Sequence, residues 1–323
     1  MKDTCTSHLP LQTAVLFLVF NRPATTAQVF DVIRKAKPPR LYVAADGARK
    51  DRAGEAEKVA KVREIVTNVD WRCEVKTLLR EENLGCKYAV SGGITWFFES
   101  EEQGIILEDD CLPRLDFFIY CETLLNRYAK DDRVSVITGD NFQNGLTRGE
   151  ASYYFSRYNH VWGWASWRRA WLKADMGIRF WPDWKVSPGW KEFWPDVIER
   201  RYWEKIFDRM YRDEIDTWDY AWTASVWFQD GLTVTPNVNL VSNIGFGPDS
   251  THTFNTGSPF AEMATKAIGD LRHPELVAQN AAADRYTFDY HYGGRVLRFP
   301  LFLMYFPRRV IGFIYRKVRG SFS

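Results

Sequence analysis

The first 140 residues alternate short apolar runs with longer amphipathic segments. Apolar runs of strand length predict β-strands at 14–20, 40–45, 72–79, 104–108 and 133–138. The helical spacing between them predicts helices at roughly 24–36, 52–68, 87–100 and 114–129. Pro23 is placed to open the first helix, since proline is tolerated at the first helical position. This alternation predicts an α/β fold in which helices flank a mostly parallel sheet.

Polar residues collect directly after the predicted strands. These segments are Asn21-Arg22-Pro23, Asp46-Gly47-Ala48-Arg49, Glu82 to Lys87, Glu108-Asp109-Asp110 and Gly139-Asp140-Asn141. In a parallel sheet ligands bind at the carboxyl ends of the strands, so these residues are expected to share one rim. Cations beside carboxylates suit a phosphate ester held through a divalent metal ion. Lys87 is expected either to contact a phosphate or to be fully solvated.

Three adjacent carboxylates, Glu108, Asp109 and Asp110, follow the apolar strand at 104–108. Like charges this close repel, and the repulsion grows with burial, so we expect a cation to offset it. Side chains alternate along an extended chain, which lets Glu108 and Asp110 share one side. Carboxylate oxygens suit Mg²⁺ or Mn²⁺. The alternative is a solvated acidic loop, with Asp110 or Asp116 at the start of the next helix.

Composition excludes some classes of protein and leaves one feature to explain. A formal charge of +2 over 323 residues gives no sign of a nucleic-acid partner. Five cysteines without a CxxC pair predict reduced thiols rather than a disulfide scaffold or zinc site. The run at 14–20 is interpreted as a strand, and no apolar run approaches the ~20 residues of a membrane span. The 14 tryptophans either stack on sugar rings or fill the core.

The segment ILEDDCLPRLDFFIYC (106–121) resembles the metal-binding segment of nucleotide-sugar glycosyltransferases with the GT-A fold. It is most similar to the N-acetylglucosaminyltransferase I type and to related bacterial sugar transferases. Further segments resemble the family in the same order: FNRP, TGDNFQNG, HVWGWASWRRAW, TWDYAW and SNIGFGPDSTHT. The resemblance predicts a GT-A-like domain over 11–255, with a Rossmann-like nucleotide-binding half and an aromatic-rich acceptor half. Residues 256–323 are then a C-terminal extension.

The resemblance implies transfer of a sugar from a nucleotide diphosphate sugar, preferably UDP-linked, to a glycan or lipid-linked saccharide. Mn²⁺ or Mg²⁺ is the implied cofactor, with Asp110 and His252 as ligands and Asp249 as a second candidate on the same loop. Glu108 and Asp109 would contact the ribose or the water shell of the metal. The full set of residues expected to bind the nucleotide sugar is Asn21, Arg22, Asp46, Glu108, Asp109, Asp140 and Trp164.

Asp219 in TWDYAW is the candidate catalytic base, because an attacking sugar hydroxyl must lose a proton. The flanking Trp218 and Trp222 are expected to raise its pKa by desolvation. Relatives carry a second acid where this chain has Tyr220, so Asp216 is the fallback. One base is enough for an inverting mechanism. The other functions considered are a metal-dependent nucleotide-sugar phosphohydrolase and a non-catalytic carbohydrate-binding protein.

The tail is basic: from Arg295 onward it holds seven Lys or Arg residues and no acid. A helix opening at Pro307 would place apolar residues on one face between cationic flanks, a pattern typical of helices on anionic membrane surfaces. The alternative is a helix docked on the domain. The expected location is cytoplasmic, with peripheral contact at the inner face of the membrane.

Overall fold

The computed structural model describes residues 11–246 and 260–298. The strands are β1 (Val15–Val19), β2 (Arg40–Ala45), β3 (Glu74–Leu79), β4 (Gln103–Glu108), β5 (Cys111–Pro113), β6 (Val134–Thr138), β7 (Tyr153–Ser156), β8 (Trp164–Trp167), β9 (Leu232–Pro236) and β10 (Val241–Asn243). The longer helices are α1 (Pro23–Ala36), α2 (Glu55–Thr67), α3 (Gly85–Ser100), α4 (Leu115–Arg127), α8 (Val197–Tyr211), α9 (Asp219–Phe228) and α10 (Ala281–Tyr290). Four short helices complete the described chain: α5 (Arg168–Trp171), α6 (Trp181–Val186), α7 (Pro188–Phe193) and α11 (Gly294–Arg298).

Eight strands form one sheet in the order β3-β2-β1-β4-β8-β6-β9-β7. The first four are mutually parallel, and β6 is parallel to β9. Strand β8 lies antiparallel between β4 and β6, and β7 is antiparallel to β9. The predicted α/β fold, with helices around a mostly parallel sheet, is confirmed.

Pairing within the sheet brings the predicted polar segments to one rim. β4 and β6 both pair antiparallel with β8, so they run in the same direction and their carboxyl ends meet at one edge. Trp164 opens β8 opposite Thr138, the last residue of β6. Gly163 precedes it with φ +71, and a Cβ there would lie 2.8 Å from Val241, so glycine allows the close approach at this edge.

Most of the tryptophans fill the core. Six are almost fully buried: Trp164, Trp181, Trp190, Trp203, Trp222 and Trp227. They belong to a hydrophobic cluster that also contains residues of β1, β2 and α3. Each large aromatic buries about 150–250 Å², so packing accounts for much of the aromatic enrichment. The tryptophans were expected either to stack on sugar rings or to fill the core, and the buried ones fill the core.

The described part of the C-terminal extension packs on the domain. Phe288 of α10 is fully buried in the tryptophan-rich cluster. Arg298 of α11 pairs with Asp196, the N-cap of α8, and with Asp289. The helix predicted from Pro307 lies outside the described residues.

The remaining features concern membrane-spanning helices and the cysteine thiols. Among 11–246 and 260–298, no helix is both long enough and apolar enough to cross a membrane. Cys73, Cys86 and Cys111 are not paired in disulfides.

Candidate functional site

The acidic triplet is held in place by backbone contacts from two sides. Asp109 Oδ2 accepts a hydrogen bond from the backbone N–H of Phe20 at 3.1 Å, which ties the triplet to the end of β1. The carbonyl of Asp110 accepts from the N–H of Ile244 at 2.8 Å, just after β10. The pairing of β5 with β10 fixes the chain that follows. The triplet therefore sits on a rigid part of the rim.

Burial and mutual repulsion keep two of these carboxyl groups from ionising readily. Burial raises the pKa of Glu108 well above its usual value, and the charges of Asp110, Asp109 and Asp219 raise it further. The pKa of Asp109 is raised to about 7, first by burial and then by Asp110. A site with these properties gains from added positive charge.

Arg22 supplies positive charge in this structure. Its Nη1 lies 2.6 Å from Asp110 Oδ2 and 3.6 Å from Asp109 Oδ1. All three side chains are largely buried, with 17% of Arg22, 10% of Asp109 and 14% of Asp110 exposed. Arg22, from the loop after β1, is a residue that the sequence had assigned to the nucleotide, and the divalent cation expected beside the triplet stays a prediction.

Asp219 is the first residue of α9, where the helix N-terminus favours a negative charge. Its Oδ1 accepts from the Thr217 hydroxyl at 2.5 Å and from the Tyr220 backbone N–H at 2.9 Å. Asp219 raises the pKa of Glu108, so the two carboxylates interact electrostatically although they are far apart in sequence. Trp218, directly before Asp219, stacks on Trp164, which pairs with Ile106 of β4.

Cys86, the second residue of α3, lies among four of the acids. The pKa of its thiol is raised first by burial and then by Glu108, Asp219, Asp216 and Asp110. Carboxylates from β4, the turn that follows β4, the start of α9 and the loop preceding α9 therefore all act electrostatically on this thiol. We refer to Glu108, Asp109, Asp110 and Asp219 as the acidic rim.

Asp216 and Lys87 have structural partners. Asp216 Oδ1 accepts from the backbone N–H of Lys87 at 3.0 Å, and this contact satisfies an amide in the first turn of α3. Lys87 is buried, and its Nζ lies 2.6 Å from Asp213 Oδ1. The burial of Lys87 contradicts the expectation of full solvation, although its partner Asp213 is 65% exposed, and contact with a phosphate stays a prediction. Asp216, the fallback base, is engaged at the helix start.

Trp164 occupies the core rather than a surface facing a ligand. It pairs with Ile106 and Thr138 in the sheet, and none of its surface is exposed. Its ring stacks on the ring of Trp218, with 5.6 Å between the centroids, and Trp218 is the residue directly before Asp219. The structure therefore corrects the expectation that Trp164 contacts the sugar: its ring supports the segment that presents Asp219.

Asn21 and Asp46, expected to hold the nucleotide, make bonds within the protein. Asn21 Nδ2 donates to Glu55 Oε1 at 2.9 Å, and Glu55 also pairs with Arg49. The Arg49 guanidinium lowers the pKa of Glu55 to about 2. Asp46 accepts from the backbone N–H of Leu84 at 3.0 Å and so fixes the loop leading into α3. Sequence reasoning missed Glu55, because a glutamate opening a helix normally stays solvated.

Asp140 is fully buried at the end of β6. Its Oδ1 accepts from the Thr138 hydroxyl, while its Oδ2 has no hydrogen-bond partner in the part of the chain that the structure describes. Burial raises its pKa to about 7. An unpartnered buried carboxylate oxygen is costly, and such sites favour a ligand that donates a hydrogen bond.

Tyr292 lies between α10 and α11, and its pKa responds to both Asp140 and Asp219. The pKa is raised well above the usual value, chiefly by burial and then by neighbours that include these two acids. Its ring stacks on Tyr158 at 5.1 Å between centroids. The sequence did not indicate this electrostatic interaction, because Tyr292 is far from both acids along the chain.

The segment that follows β10 approaches the acidic triplet at Gly245. A Cβ at Gly245 would lie 2.2 Å from Asp110 Oδ2, so a side chain at this position would collide with the carboxylate. His252 and Asp249, the remaining metal-ligand candidates, lie outside the described residues.

The donor set fits a hard divalent cation. Among 11–246 and 260–298 no three His, Cys, Asp or Glu residues form a ready-made metal cluster. Mg²⁺ is nevertheless usually bound through one or two carboxylates plus substrate phosphates, so three protein ligands are not required. Asp110 and Glu108 supply carboxylate oxygens of that kind, and the repulsion between them favours an ion.

Comparisons with known proteins show distant structural likeness. No family model and no curated protein sequence matches the chain. It is similar to GalNAc-T7 solved with UDP, GalNAc and Mn²⁺, at TM-score 0.43 and 12% identity over 71% of this chain and 43% of that one. It is similar to HddC from Yersinia pseudotuberculosis, at TM-score 0.31 and 10% identity over 49% of this chain and 78% of that one. A UDP-glucose pyrophosphorylase complexed with UDP-glucose gives TM-score 0.27 and 11% identity over 47% of this chain and 64% of that one.

Proposed function

We propose that this chain is a GT-A-type glycosyltransferase that uses Mn²⁺ or Mg²⁺. It moves a sugar from a nucleotide diphosphate sugar, preferably UDP-linked, to a hydroxyl of a glycan or lipid-linked saccharide, with inversion. One observation carries the proposal: Trp218, directly before Asp219, stacks on Trp164, which pairs with Ile106, two residues before Glu108. This packing, together with the effect of Asp219 on the pKa of Glu108, supports a common location for the proposed diphosphate site and the candidate base.

Asp110 and Glu108 are the residues that would hold the divalent ion. Bound there, the ion would supply positive charge to the departing nucleoside diphosphate. Arg22 brings a further positive charge to the same carboxylates, with Nη1 at 2.6 Å from Asp110. Guanidinium groups bind phosphate through two parallel hydrogen bonds, so Arg22 suits the same diphosphate.

Asp219 would accept the proton of the attacking hydroxyl. The Thr217 hydroxyl and the Tyr220 N–H both donate to Oδ1, which orients the carboxylate. Inversion needs one base on the face opposite the leaving group, whereas retention would need a nucleophile. Asp140, whose Oδ2 has no partner among the described residues, remains the candidate to accept a hydrogen bond from a donor-sugar hydroxyl, and its full burial means that the surrounding side chains must move to admit the sugar.

The test is release of nucleoside diphosphate from a panel of nucleotide sugars in Mn²⁺, with and without added glycans and lipid-linked saccharides. We expect the release of nucleoside diphosphate from one donor to increase when one acceptor is added. In the Asp219→Asn variant the acceptor should no longer increase this release. Release at equal rates in every acceptor condition, retained in Asp219→Asn, would instead support the phosphohydrolase. Glycan binding without any effect of UDP or Mn²⁺ would support a carbohydrate-binding protein.

A further inference from the structure

Arg22 has a fixed backbone and a side chain that lies across the acidic rim. Its carbonyl accepts hydrogen bonds from the Thr26 backbone N–H at 3.0 Å and from the Thr26 hydroxyl at 2.7 Å. These contacts hold residue 22 at the N-terminus of α1. Only the side chain is then available to change partners, and its present partners are Asp110 and Asp109.

The contact is strong enough to compete with a ligand. Only 17% of the Arg22 side chain and 14% of the Asp110 side chain are exposed, so the pair is largely shielded from water. A partly buried, charge-assisted bond of 2.6 Å contributes more than an exposed pair, which is often worth little. A cation that binds Asp110 through Oδ2 therefore competes with this guanidinium for the same oxygen.

We propose that Arg22 is a resident counter-ion that competes with the divalent cation for Asp110 and transfers to the diphosphate when the nucleotide binds. The inference rests on the proposed function and adds to it how the ion and the nucleotide depend on each other for binding. Without nucleotide, an ion that takes Oδ2 of Asp110 displaces Arg22 from its 2.6 Å partner and leaves it the longer 3.6 Å contact with Asp109. With nucleotide, the diphosphate receives Arg22 and frees Asp110 for the ion. Ion and nucleotide thus bind cooperatively.

The experiment is calorimetric titration of the full chain with Mn²⁺ alone, with UDP alone, and with each in the presence of the other. The wild type should show cooperativity of about 5–150-fold, the usual range for coupled sites. Arg22→Gln should bind Mn²⁺ alone about tenfold more tightly, bind UDP less tightly in Mn²⁺, and lose most of the cooperativity. Mn²⁺ affinity in Arg22→Gln that equals or falls below wild type overturns the inference.

Two further variants separate this effect from altered folding or general charge. Arg34→Gln removes the same charge from the last turn of the same helix, where Arg34 pairs with Asp70, and should leave all four affinities unchanged. Arg22→Lys keeps the charge without the planar fork, so it should still exclude Mn²⁺ but weaken UDP binding. A matching rise in Mn²⁺ affinity in Arg34→Gln would contradict the inference.

The inference and the proposed function fail in different ways. Cooperative binding in the wild type with no sugar transfer to any acceptor refutes the function and leaves the role of Arg22 standing. Acceptor-dependent transfer with unchanged Mn²⁺ affinity in Arg22→Gln refutes the role of Arg22 alone.

Discussion

Asp140→Asn should stabilise the protein above neutral pH and leave its stability unchanged in acid. The Asp140 carboxyl is fully buried, and its pKa is raised from an ordinary 3.8 to about 7. A group whose pKa is higher in the folded state stabilises the protein below the unfolded value, and this stabilisation is lost as pH rises through the folded value. The ionised form is therefore the unfavourable one, and asparagine has nearly the same shape without the charge.

The magnitude follows from the two pKa values. They differ by about 3, and each unit is worth about 1.36 kcal/mol, so the ionised carboxylate costs at most about 4 kcal/mol above pH 8. The stability difference between variant and wild type should be near zero at pH 4 and grow toward that limit between about pH 4 and 7. Asp109 and Glu199 also have pKa values of about 7, but both proteins carry them, so their effects cancel.

The assay is urea unfolding at a series of pH values, with Asp132→Asn as the control. Asp132 lies on the surface, with its side chain 82% exposed, and its substitution should give a flat difference across the range. A flat difference for Asp140→Asn as well, or a variant less stable than wild type at pH 8, would refute the argument that burial penalises the ionised form of Asp140.

Three other substitutions test individual parts of the site. Asp219→Asn should bind donor normally and lower turnover by about 10²–10⁴, the usual contribution of a positioned base, and full turnover in steady-state assays would place the base elsewhere. Gly245→Ala should displace the Asp110 carboxylate, since a Cβ would lie 2.2 Å from its Oδ2, and unchanged UDP affinity in Mn²⁺ would exclude a binding role for that oxygen. Trp164→Phe should lower unfolding free energy by about 1–3 kcal/mol without changing UDP affinity, because Trp164 packs in the core; selective loss of donor binding would show a direct contact.

The order of strands and helices in the first half could be predicted because it depends on local pattern. Val15–Val19 is a run of five buried residues, and Pro23 does open α1, as the preference of proline for the first turn predicts. The position of Glu108 to Asp110 at a strand end followed from the same pattern. The rim was predictable because parallel strands align their carboxyl ends.

The partners of individual charged residues could not be predicted, because they depend on distances between segments far apart in sequence. Arg22 was assigned to the nucleotide, and its ion pair with Asp110 depends on how β1 and β4 end side by side. The sequence around Lys87 does not indicate that this side chain is buried, because its partner Asp213 lies in the loop after α8, far away along the chain. Trp164 shows the same limit: its residue type suits both a sugar site and a core, and only the packing of α9 on β8 decides between them.

The most direct test of the central claim is the affinity of UDP in Mn²⁺ for the wild type and for Asp110→Asn, with Asp132→Asn as the control. The account predicts that Mn²⁺ strengthens UDP binding to the wild type and the control, and that Asp110→Asn loses this effect while remaining folded. Equal strengthening by Mn²⁺ in Asp110→Asn would contradict the claim that the acidic rim holds the ion and the diphosphate together.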